Sequence, residues 1–329
     1  CQDEQQRRQK GQDYQATIFK GENHYLKSVI HNRGKSQIQH PKVSVILPIY
    51  NASKELERCL NIIISQSLKD IEIICINDGS TDNSLEILKH YQSIDDRIVI
   101  FSQDNAGSGA ARNLGIQEAR GEFAAFMDSD DFYPDITVLE KLYKAAKENN
   151  VKICGGSMSE YYPQFKEVNS EYFNEFEGFH FHQNALIDYC DYQYDYGYYR
   201  FIYDLKFLRD NNIIFPKYQR FQDPVFMVKA FLAAKQFYAV TDATYCYIHT
   251  PKIFLREQIT DIVKASSEIF EIARTNKLEQ LCRYAYYHIG YFFRDNTLPE
   301  DKEYFIKTFK ETNADFDYSL IPDDRRWDK

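Results

Sequence analysis

Apolar positions follow two rhythms along this chain, and the change falls near residue 155. From Lys42 onward, short and nearly continuous apolar runs alternate with stretches in which apolar side chains recur every three or four positions. Val43-Ser44-Val45-Ile46-Leu47 stops at Pro48 and is followed by Leu56, Leu60, Ile63 and Ile64 on one helical face. The alternation repeats as a strand over 71–76 and a helix over 82–91, then 98–101 and 107–119, then 123–127 and 135–149, and closes with a strand over 151–154. Strands with no polar face must be covered on both sides, so five of them interleaved with four helices predict an α/β fold, a Rossmann-type, mostly parallel sheet flanked by helices. Ligands of such sheets bind beyond the carboxyl ends of the strands, which directs attention to 48–53, 77–82, 103–107 and 128–134.

Beyond Gly155 the text turns aromatic and irregular, with helices expected over 182–189 and 223–234 and strands over 237–240 and 244–248. Three amphipathic helices are expected near 258–274, 278–293 and 301–312. Residues 1–41 are polar, Gln-rich and weakly periodic, and read as a leader or linker with one helix around 25–29. The expected division is thus 1–41 as leader, 42–250 as one α/β domain with halves at 42–155 and 156–250, and 251–329 as a helical carboxy-terminal region.

Composition narrows the function classes. A net charge of −9 argues against nucleic acid as a partner, because phosphate backbones are held by clustered Lys and Arg. The first 42 residues run the other way, with eight Lys/Arg against four Asp/Glu, and fit either a solvated leader or peripheral contact with an anionic membrane surface. Of the 26 Tyr, ten lie between 161 and 203, where they serve sugar or protein contacts or simply fill half-buried positions. Seven dispersed cysteines with no CxxC pair read as reduced thiols of a cytoplasmic protein, and no apolar run approaches the ~18 residues of a membrane span.

The sharpest chemical feature is Asp128-Ser129-Asp130-Asp131, three carboxylates where the fourth strand ends. Crowded carboxylates repel, and a hard divalent cation, Mg²⁺ or Mn²⁺, is the common reason for them; turns and helix caps are the other. Pro48-Ile49-Tyr50-Asn51 follows the first strand, and Asn77-Asp78-Gly79-Ser80-Thr81-Asp82 follows the second. Asn105-Ala106-Gly107 then leads through Ser108 into Ala110-Ala111-Arg112-Asn113-Leu114-Gly115. Neither GxGxxG nor GxxxxGK[ST] is present, so a nicotinamide dehydrogenase and a P-loop NTPase are poor readings.

In this order and spacing, these strings resemble the family-2 glycosyltransferases of the GT-A fold, closely over 42–135 and loosely over 136–250. The resemblance implies an inverting, metal-dependent transfer of a sugar from a nucleotide diphosphate donor, UDP-sugar first, to a hydroxyl of an oligosaccharide or lipid-linked glycan in bacterial surface polysaccharide synthesis. By similarity, Asp78 contacts uracil, and Pro48, Tyr50 and Asn51 border the nucleotide, although Asn51 serves equally as a turn residue. Asp128 and Ser129 face the ribose or the metal shell, and Asp130 is the direct metal ligand. Arg112 pairs with the diphosphate, with one of the Asp residues, or in a surface ion pair. His249 is a candidate third ligand or simply a hydrogen-bonded histidine. Asp223, in Phe221-Gln222-Asp223-Pro224, is the candidate catalytic base, with an N-cap before Pro224 as the plain alternative. The family usually places Glu where Gln222 stands. That departure keeps a second class open, a catalytically silent relative that binds nucleotide sugar or glycan within an assembly of biosynthetic enzymes or as a homo-oligomer. Acceptor recognition is expected in 189–203, with Asp195, Tyr198 and Arg200, and the expected location is the cytoplasm or the inner membrane face.

Overall fold

All seven residues of the strand Val43–Ile49 are buried, as a central strand with neighbours on both edges and helices on both faces requires. The computed structural model describes residues 30–32, 40–162, 167–169, 179–249 and 253–328. After an edge strand β1 (Ile30–Asn32) come β2 (Val43–Ile49), α1 (Leu56–Ile64), β3 (Ile71–Asp78) and α2 (Ser84–Ile94). These lead to β4 (Ile98–Gln103), α3 (Ser108–Glu118), β5 (Phe123–Phe126) and α4 (Val138–Glu148). The expected strand and helix alternation is therefore present element for element.

The second half contains β6 (Ile153–Tyr162), β7 (Glu167–Asn169), β8 (Ala185–Asp188), α5 (Tyr189–Tyr192), β9 (Phe201–Asp204), α6 (Leu205–Asp210), α7 (Gln222–Ala234) and β10 (Gln236–Ile248). Three helices follow: α8 (Arg256–Asn276), α9 (Glu279–Asp295) and α10 (Lys302–Thr312). The sheet runs β1-β4-β3-β2-β5-β9-β6-β10-β8, with β7 beside β6. Pairings β2/β3, β3/β4, β2/β5 and β6/β10 are parallel, and β9 enters antiparallel between β5 and β6. Strand order reverses direction at β2/β5, and such a switch point opens a crevice at the strand ends.

Differences from the sequence reading are local. The helix expected over 182–189 is instead the strand β8, zipped antiparallel onto the start of β10, with only the four-residue α5 after it. Tertiary pairing overrides the local pattern there. The two strands expected at 237–240 and 244–248 are one strand, β10, with register shifts around Ala243 where it bends along β6. The strand expected at 151–154 extends to Tyr162, hidden in the sequence by Gly155-Gly156-Ser157. A side chain at Gly155 would meet the Phe201 ring at 2.0 Å, so strand β9 can pass only over glycine. Within the leader, Ile30–Asn32 pairs antiparallel with β4; the helix expected at 25–29 lies outside the described residues.

The carboxy-terminal helices pack against the α/β layer and among themselves, with Trp327 against Phe293, Phe305 and Phe309. None of the six described cysteines is paired, and all but Cys190 are buried. Among the described residues no helix is long and apolar enough to cross a membrane.

Candidate functional site

Three loops at the carboxyl ends of β2, β3 and β4 are tied to one another by side chains of their own. Asn51, at φ 49°, accepts the Thr81 amide on Oδ1 at 2.8 Å, and its own amide donates to Ser80 Oγ at 3.1 Å. Asp82 accepts the Ser53 amide on Oδ2 at 3.0 Å and the Ser84 amide and hydroxyl on Oδ1 at 3.0 and 2.6 Å. Those hydrogen bonds hold the Asp82 carboxyl below the usual carboxylate range, outweighing its desolvation, which acts the other way. Asp78 is only 2 % exposed. Its Oδ1 accepts from Gln103 Nε2 at 2.7 Å and the Ala106 amide at 2.9 Å, and Oδ2 accepts the Gly107 amide at 2.9 Å. Gly79 is required beside it, because a Cβ at its φ of 73° would meet the Asn105 nitrogen at 2.9 Å.

Past β5, the acidic string divides its labour. Asp131 is buried, accepting the Tyr245 hydroxyl and the Ile248 amide at 2.7 Å each, and so fastens the loop to β10. Burial, then the charges of Asp130 and Asp128, push its pKa up. The loop is also held from below by Arg58, which donates to the Asp130 carbonyl at 2.6 Å, and by Tyr245, whose hydroxyl accepts the Asp128 amide at 3.2 Å. Of the three carboxylates, only Asp128 and Asp130 reach the cavity described below.

Arg112 rises from the second turn of α3 and is 4 % exposed. One Nη donates to Asp128 Oδ1 at 2.6 Å, and the guanidinium lies against the rings of Tyr198 and Phe215 at 5.2 and 5.3 Å. Its Nε and other Nη have no hydrogen-bond partner. Burial alone would lower the Arg112 pKa, but Asp128 and the polarised Tyr198 raise it further, so the charge is retained.

Beside the start of α3, the chain enters α7 through Phe221 at φ 65°, an uncommon conformation for a bulky residue, kept in place by ring contacts with Phe292 and His288. Phe221 is the N-cap, so Asp223 lies in the first turn and does not cap the helix. Burial raises the Asp223 pKa, with the Arg112 charge opposing. Gln222 donates from Nε2 to Ser108 Oγ at 2.9 Å, while its Oε1 is buried without a partner.

These parts face a cavity of about 360 Å³. Of the residues singled out in the sequence, Pro48, Tyr50, Asp78, Arg112, Asp128, Ser129, Asp130 and Asp223 all line it. Two do not. Asn51 is spent joining the loops after β2 and β3, which is the turn role rather than nucleotide contact. His249 stands against the Glu160 carboxylate and edge-on to Tyr247 at 5.0 Å, so it does not join Asp128 and Asp130. Among the described residues no group of three His, Cys, Asp or Glu side chains is disposed to hold a metal. Asp78, expected by similarity to contact uracil, is buried with its carboxylate bonded to Gln103 and the amides of Ala106 and Gly107. Asp128 and Asp130 nevertheless form a hard-oxygen pair suited to Mg²⁺ or Mn²⁺, whose remaining positions are filled by water and phosphate.

On the acceptor side, Tyr198 lines the cavity as expected, together with Tyr196 and Tyr199 from the same segment. Arg200 does not. It is fully buried in a cage of Phe179, Phe181 and Phe201, and donates to the Gly156 and Phe179 carbonyls at 3.1 and 3.0 Å. Asp195 is likewise buried, paired with His288 at 3.1 Å. Sequence reasoning missed Arg220, Tyr247, Phe254, Ile262 and Phe292 as wall residues. The last three lie in the carboxy-terminal region, where an apolar periodicity signals only a packed face.

Residues 44–204 match the family described as Glycosyl transferase family 2. The chain is 44% identical over 142 residues to glycosyltransferase GlyA of Streptococcus pneumoniae, covering 43% of this chain and 18% of that protein. With the glycosyltransferase EpsJ of Bacillus subtilis it shares 32% identity over 224 residues, 64% of this chain and 62% of the relative. The chain thus spans less than two thirds of the length of these curated relatives. Among solved structures, S. aureus TarS 1–349 in complex with UDP-GlcNAc superposes with a TM-score of 0.64 at 20% identity, covering 86% of this chain and 82% of that one.

Proposed function

We propose, from the match of residues 44–204 to the family described as Glycosyl transferase family 2, that the chain transfers a sugar from a UDP-sugar to a glycan hydroxyl with inversion. The observation that carries this reading is the convergence of Asp78, Arg112, Asp128, Asp130 and Asp223 on one cavity at the β2/β5 switch point. Relatives are named as bacterial glycosyltransferases, and a UDP-GlcNAc complex is among the folds it resembles, which supports a nucleotide-sugar donor. A surface polysaccharide such as capsule or lipooligosaccharide is the proposed product, made at the cytoplasmic side of the membrane.

In this reading Pro48 and Tyr50 border the base, and Asp78 holds the 103–107 loop against it. Arg112 stabilises the diphosphate with the donors it has not spent on Asp128. Asp130, with Asp128 beside it, would hold a divalent cation that, when bound, neutralises charge on the departing diphosphate. Asp223 takes the proton of the acceptor hydroxyl as its oxygen bonds to the anomeric carbon. The bond from that carbon to the phosphate oxygen breaks, and its electron pair leaves with the nucleoside diphosphate. Attack from the face opposite the leaving group inverts configuration. A raised Asp223 pKa makes that carboxylate a stronger base than an ordinary one, at a solution pH where it is still ionised. Gln222 needs no charge for the part visible in the fold, which is to tie α7 to Ser108 at the start of α3.

Donor hydrolysis tests the proposal. The purified chain should release UDP from a UDP-sugar with Mn²⁺ present and stop on adding EDTA, and Asp130→Ala should abolish the Mn²⁺-dependent rise in melting temperature with UDP. No turnover of any UDP-, GDP- or dTDP-sugar would leave the silent-relative reading in its place.

A further inference from the structure

We infer that the acceptor carries an anionic substituent, a phosphate or a carboxylate, beside the sugar ring that is glycosylated, and that Arg220 recognises it. The inference deepens the transfer reading above and rests on it. Two cations line the cavity, Arg112 and Arg220. Arg112 is already engaged by Asp128 at 2.6 Å. No ion pair joins Arg220 to a carboxylate among the described residues; its guanidinium lies over the Phe254 ring at 5.5 Å, and its Nε is buried without a hydrogen-bond partner. The side chain is half-buried, with Nε cut off from water over a ring face, and its two Nη groups keep a planar donor edge for a two-oxygen anion.

Location assigns this anion to the acceptor and not to the donor. Phe254 and its neighbour Phe292, with ring centroids 5.3 Å apart, come from the carboxy-terminal region, whereas Asp78, Asp128 and Asp130 come from the ends of β3 and β5. Tyr196, Tyr199, Tyr247 and Phe221 line the cavity with those two rings, giving flat apolar faces on which a pyranose can stack. Asp128, Asp130 and Asp223 share the cavity, so an acidic acceptor approaching them needs a compensating charge. Arg220 precedes Phe221 on the turn that places Asp223, so one short segment would hold both the acceptor's charge and the group that deprotonates its hydroxyl.

Saturation-transfer NMR on the full chain, held saturated with UDP and diamagnetic Mg²⁺, tests this with glucose, glucose 6-phosphate and glucuronate as probes. Expected are dissociation constants about tenfold or more lower for an anionic probe than for glucose, the scale of one charge-assisted hydrogen-bond pair. Preference for glucose 6-phosphate over glucuronate, or the reverse, identifies the anion. Arg220→Ala should erase the advantage and Arg220→Lys should keep part of it, with UDP affinity unchanged in both. Equal binding of glucose and both anions by the wild type overturns the inference, as does an Arg220→Ala variant that loses UDP affinity instead, since the arginine would then serve the donor. Failure of UDP to bind the wild type is a separate result that removes the donor reading itself.

Discussion

The two walls of the cavity are built on opposite principles. On the strand-end side, Asn51, Asp78 and Asp82 spend their side chains on the backbone amides of neighbouring loops, so that wall is held by its own hydrogen bonds. On the facing side the wall is aromatic and drawn from three distant stretches of chain: Tyr196 to Tyr199, Arg220 to Asp223, and Phe254 with Ile262 and Phe292. There Gln222 Oε1, Arg220 Nε and the Tyr198 hydroxyl have no partner among the described residues, while on the strand-end side the atoms so left are the Nε and one Nη of Arg112. A pre-paid wall suits a group that is the same in every donor, the nucleoside diphosphate. A wall of ring faces with unspent polar atoms suits a ligand that supplies the missing bonds itself.

Substitutions can break this contrast from either side. The largest effect is expected at the junction, where Asp223→Asn should lower kcat about 10²–10⁴-fold, the usual contribution of a positioned base, without changing UDP-induced stabilisation. Retained transfer would end the assignment of Asp223. For the wild type, burial places the Asp223 pKa above its ordinary value, and the base works only when ionised. The acid limb of kcat/KM should therefore lie at higher pH than an exposed carboxylate near 4 would give, and vanish in the variant.

Next in size is Asp78→Ala on the pre-paid wall. It strands the Ala106 and Gly107 amides and the Gln103 side chain, and leaving buried donors unsatisfied costs about 1–3 kcal/mol each. Urea unfolding should show a lower midpoint with an unchanged slope, together with weaker UDP binding. A variant as stable as the wild type would mean the loop finds other partners.

The smallest effect is expected on the aromatic wall. Phe292→Leu removes one ring that packs on Phe221 and Phe254, and an aromatic pair is worth about 0.5–1.5 kcal/mol. Acceptor KM should rise a few-fold while UDP affinity holds. Equal losses in both would show that the two walls do not act separately.

The fold's first half was legible because its signals are local. A fully buried strand has nowhere to place polar residues, so β2 to β5 read as apolar runs, and the motifs after them point to strand ends. Asp78, Arg112, Asp128 and Asp130 were singled out in this way, and Asp223 through the family resemblance. Asn51 and His249 were each left between two roles because a polar residue in a strand-end loop looks the same whether it faces a ligand or another loop. The β8 strand was missed because its reason for being extended is the start of β10, some fifty residues away. Arg200 carried the chemistry of a recognition residue, yet the aromatic cage that buries it is assembled from residues 179, 181 and 201 only in three dimensions.

Spacing and residue type alone therefore determined the alternating layers, the end of the sheet at which chemistry gathers, and the carboxylates available there. Only the folded chain decided which of those carboxylates face the cavity, for Asp131 turns inward while Asp128 and Asp130 do not. It also decided that helices α8 and α9, far along the chain, supply Ile262 and Phe292 to the cavity's wall. Periodicity reports that a face is buried, but what it is buried against is a property of distant segments meeting.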